Sequence, residues 1–109
     1  MPNIYYHIDK LTEQLQPIAE QTAAEAGNYE DDQQEHERVN AYVERMKDIT
    51  AEKNDDDILT NTPAGDSLVD LWGVLDDLNL SLGGGGVKMS TLATIHELMV
   101  GLEDLLGEL

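Results

Sequence analysis

The side chains of this sequence that could do chemistry are its carboxylates. The chain has 109 residues, with 23 Asp and Glu against six Lys and Arg, so its net charge is −17. Several acids recur at steps of four and seven residues, which places them on one face of a helix. We predict that three groups of acids bind a partner: Asp55, Asp56 and Asp57; then Asp66, Asp70, Asp76 and Asp77; and then Glu97, Asp104 and Glu108.

Rows of like charge destabilise a helix, because acidic side chains one turn apart repel each other by a few tenths of a kcal/mol. Between residue 54 and the C-terminus, Lys88 is the only basic residue. These rows are therefore either a solvated surface or a binding surface. A surface of this charge repels nucleic acid and anionic membranes, and it attracts basic proteins or cations.

A calcium-binding loop is the first alternative for these acids. Asp55 and Asp57 begin like such a loop, and Asp66 stands at its twelfth position. The loop needs a ligand at position five and a glycine at position six. Leu59 and Thr60 occupy those positions, so the sequence predicts no designed calcium site.

Metal centres of other kinds lack their ligands. A carboxylate-bridged centre in a helical bundle uses Glu-x-x-His motifs, but none of His7, His36 and His96 has a glutamate three residues before it. The absence of cysteine excludes a disulfide framework and a Cys-based zinc site. We therefore predict no metal and no cofactor.

Two short motifs resemble parts of enzymes. Residues 65–68, Gly-Asp-Ser-Leu, resemble the nucleophile block of the GDSL esterases and lipases. That family has a parallel-sheet fold on a longer chain and an Asp-x-x-His pair late in the sequence, whereas Ala93 stands three residues before His96. Glycines 83–86 resemble a phosphate-binding loop, but the required Gly-Lys-Ser/Thr order is missing around Lys88. The sequence predicts no enzymatic activity.

The elements that carry the acidic rows are amphipathic helices. Residues 67–82 have apolar side chains at steps of three and four, which is typical of a helix. Its start is capped either by Thr62 before Pro63 or by Ser67. Glycines 83–86 then separate it from a second amphipathic helix.

The last helix is predicted to begin at Ser90, and its leucines form a heptad seam. Additional leucines flank this seam, so the apolar stripe is wider than one antiparallel neighbour covers. Either the N-terminal helices or a second copy of the chain must cover the remainder. For the second case we predict a dimer interface of Leu98, Leu102, Leu105 and Leu109.

Two more helices are predicted in the first half of the chain. The first begins near Asn3 and ends at Gly27, and Pro17 inside it predicts a kink or a break. The second runs from about Tyr29 to Lys53. The expected fold is all-α, a small helical bundle of about four helices in a single domain that comprises residues 1–109.

Most basic residues fall in the second of these helices, where acids stand three residues away. Such a spacing allows ion pairs within the helix. The predicted pairs are Glu35 with Arg38, Glu44 with Lys47, and Arg45 with Asp48.

The sequence shows no run of about 18 apolar residues that could span a bilayer and no secretory signal pattern. We therefore expect a soluble, cytoplasmic protein.

Taken with the small size and the lack of catalytic groups, the acidic rows predict an inhibitor that mimics the phosphates of nucleic acid. Such a protein would block the basic nucleic-acid-binding surface of a nuclease or defence complex, and would not bind nucleic acid itself. In composition and size the chain resembles the DNA-mimic antirestriction and anti-CRISPR proteins of phages. Two alternatives are a homodimeric structural or adaptor protein, and an acidic immunity protein or antitoxin.

Overall fold

The computed structural model describes residues 4–28, 32–54 and 63–108, except for the side chains of residues 63–66. These residues form four α-helices: α1 (Ile4–Glu25), α2 (Gln33–Asn54), α3 (Pro63–Gly83) and α4 (Met89–Gly107). The described ranges contain no strand. The predicted all-α bundle of about four helices is confirmed.

The ends of α1 and α3 follow from local sequence. Helix α1 continues through Pro17 without a break. It ends before Gly27, whose φ of 78° is a left-handed conformation that glycine adopts without strain. Helix α3 begins at Pro63, the first of the two starts that the sequence offered.

Helices α2 and α4 begin at different residues from those predicted. The Asp32 Oδ1 atom accepts hydrogen bonds from the backbone N–H groups of Gln34 and Glu35, at 3.0 and 3.3 Å. Asp32 therefore caps α2, which starts later than Tyr29 because this side chain satisfies its first free donors. Helix α4 starts at Met89, with Lys88 rather than Ser90 at the N-cap position.

Helices α1 and α2 lie diagonally opposite each other in the bundle, and so do α3 and α4. Each of these two pairs is joined by a link that contains glycine. Helix α1 packs against α3 and α4, and α2 packs against the same two helices. Within the ranges given above, α1 makes no contact with α2, and α3 makes none with α4. Each half of the chain therefore packs only against the other half.

Neighbouring helices α1 and α3 run in the same direction. Asp9 shares a cavity wall with Asp70 near the start of both helices, and Ala23 shares one with Ser81 near the end of both. Residue numbers rise together along the two helices, so α1 and α3 are parallel.

Helices α2 and α4 are the other parallel pair. Glu35 lines a cavity with Ala93, and Arg45 forms an ion pair with Glu103, ten residues further along each helix. The bundle therefore combines two parallel pairs instead of four alternating neighbours.

The two diagonal links meet at one end of the bundle. The backbone N–H of Gly27 donates a hydrogen bond of 2.8 Å to the carbonyl oxygen of Gly85. Gly85 has a φ of 69°, so both glycines adopt left-handed conformations at this contact. Beneath it, the buried Thr91 hydroxyl donates to the buried carboxylate of Glu25 at 2.8 Å.

The core is formed by the apolar seams of all four helices. Leu102 is fully buried in it, and Leu98 and Leu105 are half-buried against it. Because both N-terminal helices pack against α4, they cover the wide stripe that had motivated a dimer interface. Leu102 therefore offers no surface to a second copy, while Leu109 lies outside the described residues.

Candidate protein-binding surface

Charge is distributed unevenly among the helices. Together, α1 and α3 carry eight acidic residues and one basic residue. Helix α2 carries five acidic and four basic residues, so most of the basic residues are concentrated there. The parallel pair α1 and α3 is therefore the less compensated side of the bundle.

A groove runs between α1 and α3. It consists of two adjoining cavities of about 770 and 360 Å³, which share Gln16, Val74 and Asp77. We call this the α1/α3 groove. Its rims carry five exposed carboxylates, which we call the acidic face: Asp9, Glu13, Glu20, Asp70 and Asp77.

The acidic face has little internal compensation. Glu13 lies 3.6 Å from Lys10 Nζ, and both side chains are more than half exposed, at 70% and 52%. Water strongly screens the attraction between two exposed charges, so this ion pair is weak. The other four carboxylates have no Lys or Arg within ion-pair distance in the part of the chain that the structure describes.

Asp76 differs from its predicted environment. Its Oδ1 lies 2.5 Å from Lys47 Nζ, and the same ammonium lies 5.0 Å from the centre of the Trp72 ring. The carboxylate is thus neutralised across the α2/α3 contact. The expectation that Asp76 is uncompensated is therefore wrong, because α2 brings a lysine to this side of α3. Asp76 still lines the larger cavity of the α1/α3 groove, and its role as a partner-binding residue stays a prediction.

The predicted acids on α4 lie elsewhere on the bundle. Glu97, Asp104 and Glu108 are exposed and have no ion-pair partner among the residues with described side chains. None of them lines the α1/α3 groove. They form a second acidic surface, so the predicted α3 and α4 rows do not join into one site.

Four predicted acids are not placed. Asp55, Asp56 and Asp57 lie outside the described residues. Asp66 belongs to the first turn of α3, but its side chain is likewise outside them. Their role as partner-binding residues stays a prediction.

Two of the four basic residues of α2 pair with acids on other helices. The predicted pair Glu35–Arg38 is confirmed. Arg45, however, lies 3.0 Å from Glu103 on α4 instead of pairing with Asp48. Lys47 likewise pairs with α3 and not with Glu44. Arg45 and Lys47, which were expected to pair within α2, therefore form ion pairs with other helices.

Tyr42 shares the carboxylate of Glu103 with Arg45. Its hydroxyl donates a hydrogen bond to Glu103, and this bond raises the pKa of Tyr42 above its ordinary value. Partial desolvation and the negative charge of Glu103 raise the pKa further, while Arg45 opposes the shift. This cluster belongs to the contact between α2 and α4 and is separate from the acidic face.

Three residues of the acidic face, Asp9, Glu13 and Glu20, were not among the predicted site residues. Their steps of four and seven are the same as those within the predicted rows, so the signal was present in the sequence. Their importance depends on α1 and α3 being parallel neighbours, which the spacing within one helix does not reveal.

The lining of the α1/α3 groove is partly apolar. Leu80 is 70% exposed and Val69 is 59% exposed. Gly73 lies between them in the middle of α3, and a Cβ built there would meet nothing within 4 Å. The groove therefore combines charged rims with apolar surface that this chain leaves uncovered.

No three His, Cys, Asp or Glu residues come close enough to hold a metal ion among the described side chains. No helix in the described ranges is both long and apolar enough to cross a membrane. In comparisons with known proteins, no family model, no curated protein and no solved structure matched this chain.

Proposed function

We propose that this protein is an inhibitor that occupies the basic nucleic-acid-binding surface of another protein, such as a nuclease or a defence complex. Its carboxylates would take the positions of nucleic-acid phosphates. The observation that carries the proposal is the acidic face: five exposed carboxylates on two parallel helices with one weak internal ion pair.

The spacing of these charges supports mimicry. Asp9 and Glu20 are separated by about 16 Å of helix axis at 1.5 Å per residue, and the other three carboxylates fall within this length. The five charges of the acidic face are thus about 4 Å apart on average along the helix axis, and those of a single DNA strand are about 3.4 Å apart. A surface that binds phosphates can therefore meet carboxylates at a similar density.

The location of the basic residues supports the proposal as well. The chain places four Lys and Arg on α2 and none on α3, although α3 carries four acids. Ion pairing along α1 and α3 would remove repulsion that destabilises the bundle. An acidic face without such pairing is advantageous if a cationic partner provides the compensation.

Binding of this kind has a definite electrostatic signature. The net charge of −17 steers a basic partner toward the bundle and speeds association at low ionic strength. At about 0.1 M, salt largely screens exposed charges that are more than about 10 Å apart, so association slows as the salt concentration rises. The helices hold the carboxylates in place before binding, which limits the entropy lost in the complex.

The experiment is displacement from DNA. Proteins of a cell lysate are bound to immobilised duplex DNA at about 50 mM salt, where contacts between proteins and phosphates are strong. We expect this protein to release one or a few basic proteins, each of which then binds it in place of DNA. Polyglutamate at an equal concentration of charge is the control, because it shows whether any polyanion releases the same proteins. Release of the same proteins by polyglutamate, or a released protein that binds DNA and this chain together, would contradict the proposal.

A further inference from the structure

We propose that the α1/α3 groove receives an amphipathic α-helix of the partner that is cationic toward one end and apolar toward the other. This inference rests on the proposed function and specifies which element of the basic partner is bound. It follows from the shape of the groove, from the order of its residues and from its charge.

The shape fits a helix. The groove extends along α1 from Asp9 to Ala23, which is about 21 Å at 1.5 Å per residue. A partner helix of about 14 residues has that length. Two neighbouring helices leave a channel between them, and a third helix packs into such a channel by its side-chain ridges.

The order of the residues fixes the pattern of the partner. The first end of the groove is the more acidic one, with Asp9, Glu13 and Asp70. The opposite end has fewer carboxylates, Glu20 and Asp77, and it has the apolar side chains of Ala23 and the strongly exposed Leu80 beside Val74, which lines both cavities. A fitting helix therefore has Arg or Lys in one half and leucine-like residues in the other, at helical spacing.

Charge decides between this occupant and a second copy of the chain. Two copies would bring their acidic faces together, and unpaired like charges across an interface are strongly unfavourable. A cationic helix instead compensates the four carboxylates that have no Lys or Arg beside them within the described part of the bundle.

Gly73 gives a sensitive probe of close approach. It lies in the groove, and a Cβ there would meet no described atom within 4 Å. Gly101 on α4 is equally open and lies outside the groove. Alanine at either position strengthens the helix, because glycine is a poor helix former. Only Gly73→Ala adds a methyl group where the partner helix would lie.

The test uses a synthetic helical peptide of 14 residues with arginines in one half and leucines in the other, and the full ¹⁵N-labelled chain. A peptide of equal charge with two central prolines is the control, because it cannot form the helix. We expect the helical peptide to bind at least tenfold more tightly, with amide shifts at Gly73, Val74 and Leu80. We also expect Gly73→Ala to weaken binding of the helical peptide at least tenfold, and Gly101→Ala to leave its affinity unchanged. Both variants should keep or raise the midpoint of unfolding.

Equal binding of the two peptides, no binding of either, shifts centred on α4, or full affinity of Gly73→Ala would each overturn the inference. The proposed function fails separately. Peptide binding in the groove by a protein that displaces nothing from DNA would contradict the inhibitor and leave the helix-binding groove intact. If the protein displaced a basic protein from DNA but the peptide shifted amides outside the α1/α3 groove, the inhibitor proposal would stand and the helix-binding groove would be contradicted.

Discussion

Lys47 Nζ lies 2.5 Å from Asp76 Oδ1, across the contact between α2 and α3. The next residue, Asp77, is exposed and lines both cavities of the α1/α3 groove. Two adjacent carboxylates thus have different environments, because successive residues on a helix are about 100° apart. Packing of the four helices thus determines which acids are paired within the fold and which stay exposed without an ion pair.

Replacement of Lys47 by methionine should destabilise the bundle. The variant loses the ion pair with Asp76 and the cation–π contact with Trp72, and we expect the free energy of unfolding to fall by about 1 kcal/mol. Urea denaturation measures this change. Lys10→Met is the matched control, with an expected loss below about 0.5 kcal/mol because its ion pair is exposed. Equal losses would show that the α2/α3 pair has no special role.

Thr91→Val should be among the most destabilising conservative changes. It removes the hydroxyl whose single hydrogen is shared between the two oxygens of the buried Glu25 carboxylate, at 3.0 and 2.8 Å from Thr91 Oγ1. A buried charged group that loses a donor costs about 1–3 kcal/mol, which thermal or urea unfolding resolves easily. Thr94→Val is the control, because the Thr94 hydroxyl donates only to a carbonyl oxygen of its own helix. A similar loss for both variants would contradict the role assigned to Glu25.

The raised pKa of Tyr42 predicts a loss of stability in alkali. The hydrogen bond to Glu103 favours the neutral phenol of the folded state. Its contribution is fully present below the unfolded-state pKa of about 10 and is lost as pH rises through the higher folded-state pKa. Absorbance titration should show one tyrosine that ionises late, and Glu103→Gln should bring it back toward the ordinary value. Unchanged titration in Glu103→Gln would contradict this assignment.

Local features of the fold could be predicted from the sequence. The seam from Leu68 to Leu82 is buried as expected, Pro63 begins α3, and Gly27 ends α1. These features depend on helical periodicity and on backbone conformations that a few residue types favour, both of which are visible in one short segment.

The arrangement of the helices could not be predicted in the same way. A link of a few residues can join two helices that are adjacent in a bundle or two that are diagonally opposite. The hydrogen bond between Gly27 and Gly85 forms only when both links join diagonally opposite helices, because the two links then meet at one end of the bundle. The acidic face depends on this arrangement, since Asp9 and Asp70 share a groove only because α1 and α3 are parallel. The partner of Lys47 was missed for the same reason.

The diagonal arrangement predicts that the two halves fold only together. Because α1 does not contact α2, and α3 does not contact α4 in the described ranges, neither half can bury its apolar seams alone. We expect separate peptides of residues 1–57 and 58–109 to be weakly helical, and their equimolar mixture to regain helicity. Circular dichroism measures both states. Stable helical structure in either isolated half would contradict the observed pattern of contacts.

The central claim is tested most directly by displacement from DNA with two charge-matched variants. Asp9→Asn, Asp70→Asn and Asp77→Asn together remove three charges from the acidic face, and Glu97→Gln, Asp104→Asn and Glu108→Gln remove three from α4. Three surface ion pairs of about 0.5 kcal/mol each amount to roughly a tenfold change in affinity. We predict that the first variant releases the bound protein from DNA at least tenfold less effectively, and that the second acts like the unaltered chain. Equal loss in both variants would show that total charge matters and the acidic face does not.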